Sequence, residues 1–148
     1  MDTDKAPLNV GHKPIVEICE YRNYDGFRAN DTDARALSVG IAQWDKKQKE
    51  ISAKVFRHTG KQWSPQSEEM PLHRCIDLCS LIVQAIRKSQ GFDFDNTKML
   101  KPDVVSRDDL NLVKEFYEIN KDDLLDRMSD LYSLLKVFLT ENKKERSM

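Results

Sequence analysis

His73 and Asp77 stand four residues apart, a spacing that puts both on one face of a helix. There an imidazole and a carboxylate can orient one another as a base and its partner, or give two ligands to a metal ion. Either task needs further groups. His58, Glu68 and Glu69 could supply them if the stretch around residue 58 folds against the helix start, so the candidate catalytic set is His58, His73, Asp77, Glu68 and Glu69. The plainer reading is a solvated i, i+4 pair on a polar helix face, which performs no chemistry. Cys75 and Cys79 share helical spacing too, but they coincide with an apolar stripe. With Cys19 they make an odd total, which suits reduced, buried thiols better than zinc or a disulfide framework. No metal site and no cofactor is expected. The chain has only five glycines, no Walker A sequence, no Gly-x-Gly-x-x-Gly and no His-Glu-x-x-His, so the common nucleotide folds and zinc proteases are not expected either.

A second constellation combines rings and cations. Trp44, Lys54, Phe56, Arg57, His58, Trp63 and Arg74 form the candidate binding set, because aromatic and basic side chains together suit stacking and interfaces. The competing reading makes the same face a second core layer under C-terminal helices. Asp25, Asp31 and Asp33, with Arg28 among them and Arg35 just after, could hold a cation, although Asp is favoured in turns for backbone reasons alone.

The elements that must position these groups follow from periodicity. Residues 1–13, with Pro7 and Gly11, lack a period and read as a loose N-terminal arm containing His12. Residues 14–91 read as a sheet and a central helix. Ile15 to Tyr21 is β-branched and partly alternating, a first strand. From Ala36 to Trp44, Leu37, Val39 and Ile41 alternate with Ser38, Gly40 and Ala42. After the charged turn Asp45 to Glu50, which includes Lys46 and Gln48, the residues Ile51, Ala53 and Val55 take one face. This predicts a hairpin with Val39 and Ile41 on the side of Ile51 and Val55. That aliphatic side is expected inward, leaving Trp44, Lys54, Phe56 and His58 on the other.

Pro71 suits a first helical turn, and Glu68 and Glu69 lie where a helix dipole favours acids. Leu72, Cys75, Ile76, Cys79, Ile82, Val83 and Ile86 then keep the three-four spacing of a buried face, predicting a buried helix from Pro71 to Gln90 stopped at Gly91. Residues 106–142 read as two C-terminal helices, the first opened by Ser106 and Asp109 in capping-box spacing and the second begun at Asn120. Leu124, Met128, Leu131, Leu135 and Phe138 form an apolar seam over two heptads, with acids early and Lys143, Lys144 and Arg146 late. The seam serves to dock on the protein's own core, or else on a protein partner or a second copy of the chain.

The whole reads as an α+β fold in a single domain, residues 1–148: a small antiparallel sheet with a central hairpin packed on a buried helix, plus two C-terminal helices. Charged residues make up 33% and nearly cancel to −1, so no global field recruits nucleic acid, which is not an expected partner. The polar start and the lack of an 18-residue apolar run give no signal peptide and no membrane span, and a cytoplasmic location is expected.

Four segments, Asn30-Asp31-Thr32-Asp33-Ala34, Gly40 to Trp44, Arg57-His58-Thr59-Gly60 and Ser67-Glu68-Glu69-Met70-Pro71-Leu72-His73-Arg74, resemble a family of small uncharacterised bacterial proteins. The resemblance spans about residues 15–90. It implies a domain of unknown function with no assigned activity, and it draws Arg57, His58, Glu68, Glu69, His73 and Arg74 towards one junction of hairpin end and helix start. The function expected is a non-enzymatic binding or protein-interaction domain. The alternative is a small hydrolase or metal-dependent enzyme using His58, His73 and nearby acids.

Overall fold

The computed structural model describes residues 2–45, 47 and 49–146, the last three by backbone alone. Lys46 and Gln48 of the expected hairpin turn lie outside the described residues, as do the side chains of Lys144 and Arg146. The chain divides into two units, residues 1–83 and 84–148. The first holds a four-stranded antiparallel sheet in the order β1-β2-β3-β4, with β1 at Lys13–Ile18, β2 at Ala34–Ile41, β3 at Ile51–Arg57 and β4 at Glu69–Pro71. Helix α1, Leu72–Ser89, starts directly after β4, and α2, Leu110–Arg146, lies in the second unit. The fold class is α+β.

The hairpin forms in the expected register: Leu37 opposes Val55, Val39 opposes Ala53 and Ile41 opposes Ile51. Which side is covered is reversed. Along β2 the buried positions are Ala34, Ala36, Ser38 and Gly40, and on β3 they are Ser52 and Phe56. The aliphatic side carries Val39, 41% exposed, with Val16 at 67% and Ile18 at 54% from β1. The reason is the N-terminal arm, which is not loose. Ala6 and His12 are buried, the Ala6 N–H donates to the Glu17 carboxylate at 2.8 Å, and the Glu20 N–H donates to the Asp4 carbonyl at 2.7 Å. Small residues admit a backbone where large ones do not: a Cβ on Gly40 would stand 2.1 Å from the Lys13 carbonyl oxygen. The covered side therefore builds the core, a cluster of Ala6, Ala36 and Phe56 with Val10 and Trp63 packed against it.

β1 is shorter than expected at its end and has a bulge between Pro14 and Val16. Tyr21–Asn23 forms a single 3-10 turn instead of continuing the strand. Pro71 ends a strand rather than opening a helix. It pairs with Ser52 on the sheet edge, where a missing N–H costs no ladder bond, and it biases the preceding Met70 to an extended backbone.

α1 stops where glycine permits. Gly91 adopts φ 94°, Phe92 N–H reaches the Arg87 carbonyl at 3.0 Å and Gly91 N–H reaches that of Lys88 at 3.0 Å, a Schellman ending. The helix is not buried, however, since none of its residues is enclosed. Its periodicity marks a face that wants cover without saying what covers it. The two expected C-terminal helices are one helix of 37 residues. Neither glycine nor proline interrupts the stretch around Asn120, whose side-chain amide donates to the Phe116 carbonyl at 3.0 Å inside the continuous ladder. Ser106 and Asp109 bond to each other through their side chains at 2.7 Å, ahead of the first turn of α2. No helix among the described residues is long and apolar enough to cross a membrane.

Candidate binding site

Strand alternation sends each residue of the sheet to one of two very different environments. On the arm side, His12 sits wholly enclosed among groups from three strands: Ser38 of β2, Ser52 of β3 and Glu69 of β4. Its Nδ1 lies 2.9 Å from Ser52 Oγ and 3.4 Å from Glu69 Oε2, and its Nε2 lies 2.9 Å from Ser38 Oγ. The Ser52 hydroxyl donates to Glu69 at 2.8 Å, and so does the Gln43 N–H at 3.0 Å. With the Ser52 proton so used, a neutral imidazole satisfies the rest: Nδ1–H donates to Ser52 and the Ser38 hydroxyl donates to Nε2, a tautomer assigned from the network. Burial lowers the His12 pKa, only partly opposed by the nearby Glu69 carboxylate. Burial also pushes the Glu69 carboxyl up, but the Gln43 N–H, the Ser52 hydroxyl and the electrostatic influence of neighbours that include the Lys54 ammonium outweigh it, so its pKa falls. Lys54 Nζ stands 3.5 Å from the same carboxylate.

A serine, a histidine and a glutamate in line have the composition of a nucleophile relay. Its function here is different. With the imidazole at 0% exposure and Ser38 at 4%, no substrate atom reaches the ring, and the network fastens the arm to the sheet. Sequence reasoning placed His12 in a free arm and missed it. The available signal was the pair of hydroxyls on the small-residue side of the hairpin, since a buried serine needs a partner.

The opposite side is open. Val16, Ile18, Leu37, Val39, Ala53, Val55 and Met70, with Cys75 of α1, line a hollow of about 430 Å³. Its aliphatic floor offers no group for polar recognition. At its margin Glu68 accepts from Arg57 Nε at 3.0 Å and from Arg57 Nη2, and Arg57 Nη1 also donates to Asp33. The bond to Arg57 lowers the Glu68 pKa, and Glu68 in turn raises that of the guanidinium. Burial, then Cys79, pushes the Cys75 thiol up, away from the reactive thiolate.

The expected binding set divides. Lys54, Phe56, His58 and Trp63 meet on the covered side, where ring centroids run from His12 to Phe56 at 5.6 Å, to Trp63 at 5.8 Å and on to His58 at 5.0 Å. Lys54 Nζ lies 5.1 Å from the Phe56 centroid, and His58 Nδ1 accepts the Gly60 N–H at 3.0 Å. Phe56 and His58 are buried, so this layer is core rather than a recognition surface. Trp44 is part-exposed and donates its indole N–H to Glu50. Lys54 is the member of the set that lines the hollow, and Arg57 meets its margin through Glu68.

The expected catalytic set divides too. Glu68 serves Arg57, Glu69 serves His12 and His58 packs on Trp63. His73 and Arg74 are exposed on α1 and Asp77 is half-buried. Among the described residues none of the three makes a hydrogen bond or ion pair with that group, and no three His, Cys, Asp or Glu gather as metal ligands. The acids Asp25 and Asp31 do not join Asp33, whose partner is Arg57.

No curated protein and no solved structure matches the chain. A model for a family of unknown function, DUF6530, matches residues 4–111, which takes in the arm with His12, the whole sheet, α1 and the first residues of α2. The chain belongs to that family.

Proposed function

We propose that this chain is a non-enzymatic protein-interaction domain whose working surface is the open aliphatic side of its sheet, and that the occupant is an amphipathic helix of a protein partner. One observation carries the reading: a hollow of about 430 Å³ floored by aliphatic side chains, beside Val16 and Ile18 at 67% and 54% exposure. A sheet side left apolar to water is unfavourable by about 25 cal/mol per Å² relative to cover, and exposed apolar patches mark interaction sites. Polar substrates find little to anchor them there, because the charged residues along the hollow are already engaged, Glu17 by the Ala6 N–H, Lys54 by Glu69 and Glu68 by Arg57, which also holds Asp33. Those charges provide a polar rim, the arrangement in which an apolar helix stripe docks and its flanks stay wet.

The test uses a fluorescein-labelled 20-residue Leu/Lys peptide designed as an amphipathic helix, with a scrambled sequence as control. Anisotropy rises with the amphipathic peptide alone, and Val39→Glu, at a position already part-exposed, abolishes the rise while circular dichroism stays unchanged. Equal binding by the folded Val39→Glu chain, or none by the natural chain, sinks the reading.

A further inference from the structure

The strongest unexplained surface outside the sheet is the second half of α2. Seven of the nine residues from Leu131 to Leu139 are apolar or aromatic, and these are between 42% and 68% exposed. Such a segment is apolar nearly all round, and helices of that kind lie inside bundles. The pattern beneath it is longer than the two-heptad seam. Leu110, Tyr117, Leu124, Leu131 and Phe138 recur every seven residues, a continuous column at one core position of a coiled coil. The companion column changes midway: it reads Lys114 and Lys121, then Met128 and Leu135, then Asn142.

We infer that two copies of this chain associate through α2 in antiparallel fashion, centred near residue 133 and confined to residues 124–142. In a parallel pair each position of the companion column meets itself, which sets Lys114 against Lys114 and Lys121 against Lys121 at core positions. Reversing one helix removes that conflict. The layers become Met128 on Phe138 and Leu131 on Leu135, each occurring twice by symmetry, and Lys114 falls beyond Arg146, the last residue of the partner's α2. The flanking positions agree independently. Arg127 of one copy comes opposite Glu141 of the other, Leu125 opposite Leu139, and Tyr132 opposite Tyr132. In the parallel register Arg127 would instead face Tyr132. Arg127 is held at 3.0 Å by Asp123 of its own helix, which orients the guanidinium along the same flank. A two-fold pairing of this kind is self-complementary and closes, so it ends at a dimer. It uses a surface separate from the sheet and stands whether or not the sheet binds a helix.

Sedimentation equilibrium of the full chain from about 1 to 200 µM, in reducing buffer, gives twice the chain mass. Leu131→Asp with Leu135→Asp, placing carboxylates in the central layers, weakens association more than about 100-fold, with helical circular dichroism retained in the rest of the chain. Arg127→Glu weakens it about two- to fivefold, as for an exposed ion pair, and adding Glu141→Arg to the same chain restores it. Direction is read separately: Arg127→Cys and Glu141→Cys chains are mixed and oxidised, and peptide mapping finds 127–141 cross-links. Chain mass throughout, a dimer that survives the Asp pair, or 127–127 cross-links in place of 127–141 each overturns the proposal.

Discussion

His12 and Glu69, 57 residues apart in sequence, meet with Nδ1 3.4 Å from Oε2 beneath the N-terminal arm. The pair ties the first residues of the chain to the last strand of the sheet, so the sheet's covered side depends on a residue that lies outside every strand.

Replacing His12 with Ala leaves the Ser38 and Ser52 hydroxyls short of a partner and opens a gap under the arm. The expected loss is about 2–4 kcal/mol in urea unfolding, and limited proteolysis cuts the arm near Pro7 and Gly11 sooner. An unchanged midpoint would show that the network contributes nothing.

Stability falls with acidity for the same reason. The His12 pKa is lowered on folding from 6.5, so below that value the unfolded chain binds a proton that the folded chain does not. Stability is then lost progressively as pH drops from 6.5 towards the folded value. Glu69, lowered from 4.5, adds a second loss that begins below 4.5. Urea midpoints between pH 5 and 7.5 should decline on the acid side, and His12→Asn should flatten that decline.

Gly40→Ala should be among the most damaging single-methyl changes. The new Cβ meets the Lys13 carbonyl oxygen at 2.1 Å and His12 Nε2 at 2.9 Å, and the first of these is backbone that cannot swing aside. A loss of about 2–3 kcal/mol and a lower thermal midpoint are expected, as for overpacking. Gly91→Ala, where a Cβ meets nothing within 4 Å but φ is 94°, should cost only about 1 kcal/mol.

Arg57→Met frees Glu68 and Asp33 at the margin of the hollow. The Glu68 carboxyl, now held low by the guanidinium, should return towards 4.5, read by carbon-detected NMR titration. Because these side chains are part-exposed, the loss in stability should be no more than about 1 kcal/mol, and it should appear above pH 4.5, where Glu68 is ionised.

The sheet was legible because alternation at Leu37, Val39 and Ile41 and at Ile51, Ala53 and Val55 fixes both the strand period and the register. Which side faces inward was not. Hydrophobicity assigns the aliphatic side to the interior, but the arm needs small residues beneath its backbone, and Ala36, Ser38 and Gly40 supply them. Apolar spacing in α1 and α2 overstated burial, since a stripe records a need for contact and not its fulfilment. The merging of two helices into α2 reflects cooperativity: with no breaker near Asn120, continuing the ladder costs less than nucleating again. Of the junction inferred from the family-like segments, Arg57 and Glu68 do meet, whereas Glu69 turns to the other side and joins His12.

Prolines stand on both edge strands of the sheet, Pro14 on β1 beside its bulge and Pro71 at the end of β4, a strand only three residues long. A strand arriving from another molecule would find a donor missing and the ladder bent at one edge, and too few residues to grip at the other. Sideways growth into fibrils is thereby disfavoured at the two places where a sheet ordinarily permits it. An apolar floor can then stay uncovered in a crowded solution without its edges recruiting further strands.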